Sequence, residues 1–120
     1  MSGDEAIAGN YTHGSLLAAI SEALATLGKT PETVSVDDLA PVDEFHIGGR
    51  HASEHFLSQL PLDAETHVLD VGCGLGGASR FTASRFGCRV TGIDLTAEYV
   101  VTGRTLTSWV GLEDRIVVIV

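Results

Sequence analysis

Apolar positions fall into two kinds of pattern along this chain. Across residues 15–27 they recur at helical spacing, as Leu16, Leu17, Ile20, Leu24 and Leu27, and Gly28 follows as a natural stop. From Val68 onward, short, mainly apolar runs alternate with helix-length stretches. The runs are residues 68–71, residues 89–94, which end in an acid, and the β-branched run 116–120. Short apolar runs between helical patterns are what parallel βαβ units produce, because both faces of a parallel strand are covered and its polar alternation disappears. The order predicted after residue 60 is strand, glycine loop, helix, strand, helix, strand.

The remaining elements follow from stops and caps. Residues 29–41 are turn-rich, and Pro31 and Pro41 are expected to break any continuous helix there. A further helix is expected to begin near Gly49 and to carry Ala52, Phe56 and Leu60 inward before Pro61. After the second strand, Thr96 can cap a helix with Glu98 in its first turn; Tyr99, Gly103, Leu106 and Val110 mark its buried face until Gly111 ends it.

Between the first strand and its helix lies Asp70-Val71-Gly72-Cys73-Gly74-Leu75-Gly76-Gly77. Glycine stands where a chain must turn sharply and let a ligand touch backbone. The stretch matches G-x-G-x-x-G through Gly72, Gly74 and Gly77, and also D-x-G-x-G-x-G through Asp70, Gly72, Gly74 and Gly76. Asp70 separates the two readings. A dinucleotide lays a pyrophosphate over such a turn and calls for backbone N–H groups and a helix dipole, so a carboxylate beside the first glycine is poorly placed. S-adenosylmethionine brings no phosphate; its sulfonium and ammonium groups are attracted by a carboxylate. Asp94 ends the second strand at the spacing where an acid receives ribose hydroxyls, a contact that both cofactors need.

VLDVGCGLGGASRF followed by GCRVTGIDLT resembles motif I and the next acidic motif of class I S-adenosylmethionine-dependent methyltransferases. The upstream stretch 43–50, DEFHIGGR, is similar to the cofactor-covering segment of the small-molecule members, especially sarcosine, dimethylglycine and phosphoethanolamine N-methyltransferases. The resemblance implies an α/β fold: the N-terminal half of a Rossmann-like doubly wound parallel sheet, three strands here, preceded by N-terminal cap helices. Residues 1–60 would form the cap or lid, and 61–120 the first half of the cofactor domain, with the rest expected beyond Val120. It further implies S-adenosylmethionine as cofactor, S-adenosylhomocysteine as product, and a small-molecule methyl acceptor, an amine being one such class. The implied cofactor contacts are Tyr11, His46, Ile47, Asp70, Gly72, Cys73, Gly74, Gly76, Asp94 and Leu95, with no catalytic residue assigned. Two other functions stay open at this point. One is a non-catalytic adenosine-binding or assembly module; the other is a fragment of a nicotinamide-dependent oxidoreductase.

Charge narrows the partners. Residues 1–70 hold twelve acids against Lys29 and Arg50, and residues 71–120 hold four acids against five arginines, so the net −9 resides in the N-terminal half. An acidic surface repels phosphate backbones and anionic lipid, which argues against nucleic-acid and membrane partners. The N-terminus has no basic start followed by an apolar stretch, so cytoplasm is the expected location. His51, Glu54 and His55 spell H-x-x-E-H, but no third ligand is evident and no metal is assigned. Cys73 and Cys88 fall at opposite ends of neighbouring parallel strands, roughly 15 Å apart, so no disulfide is expected. A bare first-strand edge is expected, and with it self-association.

Overall fold

The computed structural model describes residues 15–43 and 49–120. Tyr11, His46 and Ile47 lie outside the described residues. In chain order the elements are α1 (Ser15–Thr26), α2 (Val36–Asp43), α3 (Gly49–Leu57), β1 (His67–Val71), α4 (Gly77–Phe86), β2 (Arg89–Ile93), α5 (Ala97–Trp109) and β3 (Ile116–Ile119).

α1 buries Ile20 and Leu24, one turn apart. Its end is closed by a paired turn: Gly28 N–H donates to Ala25 O at 3.0 Å and Lys29 N–H to Leu24 O at 3.0 Å, with Gly28 in the left-handed region at φ 75°. α2 corrects the expectation that Pro41 forbids a helix, because Pro41 sits inside it. The helix is nucleated upstream by a reciprocal cap. Asp38 N–H donates to Ser35 Oγ at 3.2 Å, and Ser35 N–H donates back to Asp38 Oδ2 at 2.9 Å. Proline removes one donor from a helix that ends two residues later, so the loss is tolerated.

α3 differs from expectation as well. Its buried residues are Ser53 and Leu57, whereas Phe56 is 63% and Leu60 is 40% exposed. Phe56 and the following Leu60 instead line an open cavity of about 510 Å³ between α3, β1 and α4. Arg50 fastens α3 to its neighbours: it forms an ion pair with Asp37 of α2 and lies 4.4 Å above the Phe81 ring of α4.

The strands are parallel in the order β1-β2-β3, with Val68 opposite Val90, Val90 opposite Ile116, Asp70 opposite Gly92 and Gly92 opposite Val118. Val90, Ile116 and Val118 form one core with Ala83 of α4 and Val100 of α5, so both crossover helices cover the same sheet face. A second core joins Ile20 and Leu24 of α1, Val34, Leu39 of α2 and Leu106 of α5 to Leu75 of the glycine loop. The opposite sheet face is bare: Leu69, Val71, Val117 and Ile119 are all exposed. The expectation that both faces are covered fails here, because no described helix crosses on that side. On α5, Tyr99 is 40% exposed and Val100 takes the buried position expected of it. No helix among the described residues is long and apolar enough to cross a membrane.

Candidate functional site

The glycine loop runs from the end of β1 over the end of β2 into α4, and its shape is set by backbone hydrogen bonds. Gly72 and Cys73 N–H both donate to Ile93 O, at 2.8 and 3.0 Å. Gly74 N–H donates to Asp94 Oδ2 at 2.8 Å, and Gly76 N–H to Cys73 O at 2.9 Å. Gly72 and Gly74 adopt φ of 71° and 56°, and a β-carbon on either would project into open space above the loop. Glycine is therefore required by the backbone angle, and its missing side chain leaves the loop's outer surface free for a ligand.

Asp94 stands just past β2 and accepts two N–H groups, from Gly74 on Oδ2 and from Thr96 on Oδ1 at 2.9 Å. The Thr96 N–H, with the Gly74 N–H adding to it against a partial burial, holds the carboxyl below its ordinary value. Asp94 is thus an ionised clamp between the loop and the start of α5. Thr96 supplies this amide and makes no side-chain cap bond, which replaces the capping role expected of its hydroxyl. Next to Asp94, Leu95 is 98% exposed.

Asp70 points to the helix-covered face, where Ser79 Oγ donates to its Oδ2 at 2.7 Å. Ser79 is itself buried in the first turn of α4, so a buried hydroxyl holds this carboxylate. Cys73 lies between Asp70 and Asp94. Burial, then the Asp70 and Asp94 charges, push its thiol up to about 11, so it is a neutral thiol at physiological pH and no nucleophile. Cys88 is fully buried, and both cysteines are free.

The fold brings Asp70, Gly72, Cys73, Gly74, Gly76, Asp94 and Leu95 together at the carboxyl ends of β1 and β2. His51 and His55 are exposed on α3, and Glu54 pairs with Arg85 at 3.2 Å. Several residues that build the site were not singled out from sequence. Ile93 O receives two loop amides, Ser79 orients Asp70, and Gly92 leaves room for Cys73, since a β-carbon there would lie 2.9 Å from Cys73 Sγ. A glycine inside a strand pattern is a usable signal of such an approach. Ile93 O and Ser79 offer none, because their roles exist only once the strands are in register.

This geometry bears on the choice between cofactors. The N–H groups of Gly72, Cys73, Gly74 and Gly76 are already engaged by Ile93, Asp94 and Cys73, so they do not form the open amide cradle that a pyrophosphate uses.

Comparison with known proteins agrees. A probable fatty acid methyltransferase of Pseudomonas putida is 40% identical over 63 residues, covering 52% of this chain and 16% of that protein. A glycine/sarcosine/dimethylglycine N-methyltransferase of Actinopolyspora halophila is 31% identical over 76 residues, covering 63% of this chain and 14% of that one. Among solved structures, a geranyl diphosphate C-methyltransferase from Streptomyces coelicolor A3(2), in complex with Mg2+, geranyl diphosphate and S-adenosyl-L-homocysteine, superposes with a TM-score of 0.55. It is 27% identical, over 57% of this chain and 26% of that chain. The chain therefore spans less than a third of the length of each. All three are methyltransferases by name, in keeping with the resemblance drawn from motif I, and the parallel sheet matches the Rossmann-like fold of the solved structure. The family model for mycolic acid cyclopropane synthetase matches residues 43–120, and the chain belongs to that family.

Proposed function

We propose that the chain is the S-adenosylmethionine-binding part of a methyltransferase acting on a small molecule. The observation that carries the reading is the Asp94 clamp: an ionised carboxylate at the end of β2, holding a loop whose outer surface is open at Gly72 and Gly74. The residues fit the cofactor. Asp94 would accept the ribose hydroxyls, Leu95 would lie against the adenine, and the backbone of Gly72 to Gly76 would support the ligand's body. Asp70 would sit below as the nearest fixed negative charge for a sulfonium and an ammonium. When bound, S-adenosylmethionine supplies an electrophilic methyl group. The chain's own task is alignment and exclusion of water, since an in-line displacement gains most from fixed geometry. No described residue is assigned as a base. Tyr11, His46 and Ile47 are proposed to close over the cofactor as part of the cap formed by residues 1–60, with 61–120 as the cofactor half.

An amine is the acceptor class to assay first, because the −10 of residues 1–70 attracts cations. The same acidity disfavours nucleic acid. Two free thiols suit a reducing compartment, the cytoplasm. The bare β1 edge and the apolar row beside it are proposed to receive a second copy of the chain, which offers the same complementary strand and face across a two-fold axis.

Calorimetric titration with S-adenosylmethionine, S-adenosylhomocysteine and NAD tests the cofactor. The first two should bind and NAD should not. Asp94→Asn should weaken S-adenosylhomocysteine by about 1–3 kcal/mol while the circular dichroism spectrum is kept. Tight NAD binding without a response to S-adenosylmethionine would overturn the reading, and unchanged affinity in a folded Asp94→Asn protein would remove Asp94 from it.

A further inference from the structure

Arg80 is fully buried, whereas the other five arginines, Arg50, Arg85, Arg89, Arg104 and Arg115, keep at least part of their surface in water. A guanidinium withdrawn from water is destabilising unless acceptors are placed for it. Here they are. Arg80 Nη1 donates to Leu75 O at 2.7 Å, to Gly103 O at 3.3 Å and to Thr107 Oγ1 at 3.3 Å. Leu75 is the central residue of the glycine loop, and Gly103 and Thr107 are one turn apart on α5, so a single nitrogen joins the loop to the helix behind it.

The packing around this junction has no slack. A β-carbon on Gly103 would stand 2.7 Å from Leu75 O, and one on Gly76 would stand 3.1 Å from Arg80 Nη1. Leu75 is flanked by the two amides that shape the loop, Gly74 N–H on Asp94 and Gly76 N–H on Cys73 O. The Leu75 carbonyl shares its rigid peptide plane with the Gly76 N–H, so a tilt of that plane turns the Gly76 amide directly and reaches Gly74 through the short stretch of chain between them. Its side chain is anchored separately, in the core shared with α1, α2 and α5. The carbonyl is what Arg80 holds.

We propose that Arg80 is a positioning residue for the cofactor. By pinning Leu75 O to α5 it fixes the tilt of the glycine loop, and so the height of the surface on which the ligand rests and the alignment of Gly74 with Asp94. The proposal rests on the cofactor reading above. It assigns Arg80 no contact with ligand; its effect passes through the loop.

The test compares the wild-type chain with Arg80→Met, Arg80→Lys and Gly103→Ala. S-adenosylhomocysteine affinity is read by calorimetry, and local order by amide hydrogen exchange. Arg80→Met should lose on the order of 10- to 100-fold in affinity, the effect of removing hydrogen bonds from a charged donor. The amides of Gly74 and Gly76 should exchange faster, while those of Val90 and Val118 in the sheet keep their protection. Arg80→Lys keeps the charge and some donor capacity on a shorter reach, and should recover part of the loss. Gly103→Ala displaces Leu75 O without touching the charge, and should weaken binding as Arg80→Met does. Wild-type affinity and wild-type loop exchange in a folded Arg80→Met protein would overturn the proposal. So would a loss of protection spread equally over loop and sheet, which is the signature of general destabilisation. If Arg80→Met does not fold, unchanged affinity in both Arg80→Lys and Gly103→Ala overturns it instead. A wild-type chain that ignores S-adenosylhomocysteine would sink the cofactor reading first and this proposal with it, an outcome distinct from a mutant that binds as well as wild type.

Discussion

The two faces of the sheet are built from the same strands and nearly the same residues, yet one is a core and the other is surface. Val90, Ile116 and Val118 are buried beneath α4 and α5, while their sequence neighbours Val117 and Ile119 are exposed together with Leu69 and Val71. Composition does not separate the two sets. The path of the chain does: β1, β2 and β3 follow one another in one direction across the sheet, and right-handed crossovers that all advance the same way fall on one face. The covered face also carries the chemistry, since Asp70, Gly92 and Ser79 meet there beneath the glycine loop. The bare face carries interior-like side chains, Leu69, Val71, Val117 and Ile119, in exposed positions, and it is the face on which the proposed second copy of the chain would dock.

The largest effect that distinguishes the faces should come from truncating isoleucine on each. Ile116→Ala opens a cavity in the covered core and should cost about 2–5 kcal/mol in denaturant unfolding. Ile119→Ala removes a half-exposed side chain and should cost less than about 1 kcal/mol in a dilute monomer. Comparable costs would mean that the bare face is covered in solution. Sedimentation examines that directly: the wild-type chain should associate with rising concentration, and Leu69→Lys with Val117→Lys should return it to monomer with the fold kept. A wild-type chain that stays monomeric at all concentrations would remove the second copy from the proposal.

Adjacent positions of β2 offer a finer comparison. Gly92 faces the covered side, where a β-carbon would lie 2.9 Å from Cys73 Sγ and 3.1 Å from its β-carbon. Gly92→Ala should therefore destabilise by about 1–3 kcal/mol, as overpacking does, and should disturb the loop at Cys73. Thr91 faces the bare side and hydrogen-bonds His67 at 2.7 Å. Thr91→Ala should cost no more than about 1 kcal/mol, the worth of one exposed hydrogen bond. If Gly92→Ala proves as mild as Thr91→Ala, the close packing of the loop on β2 is wrong.

How much of this was legible in the sequence depends on the range of the interaction that decided it. The three strands, the glycine loop and Asp94 were legible because each is announced by local pattern: an apolar run, a turn that needs positive φ, an acid at fixed spacing. The free cysteines followed from strand direction alone. The helix through Pro41 was missed although its signal was present, since Ser35 and Asp38 spell a capping box that outweighs one absent donor. Phe56, Leu60 and Tyr99 were assigned inward on periodicity, but periodicity gives a helix face and not what lies opposite it. Arg80 had no local signal. Its burial depends on Leu75, Gly103 and Thr107 converging from two segments, which only the folded chain brings about.

The smallest predicted effect is an acid response confined to the rim of the covered face. Asp94 is held below its ordinary value of 3.8 by the Thr96 and Gly74 N–H groups. A carboxylate depressed in the folded state contributes stability that is fully present above the unfolded value, near 3.8, and lost as pH falls through the lower folded one. The loop should therefore stay clamped, and S-adenosylhomocysteine affinity should stay level, from about pH 8 down to about pH 5. Below about pH 4 the carboxyl begins to protonate, and the Gly74 and Thr96 amides should lose protection before those of Val90 and Val118, whose apolar packing carries no charge to titrate. Amide spectra recorded against pH would show this order. A fall in affinity centred near pH 6–7 would be a histidine's signature instead, and would move control of the loop away from Asp94.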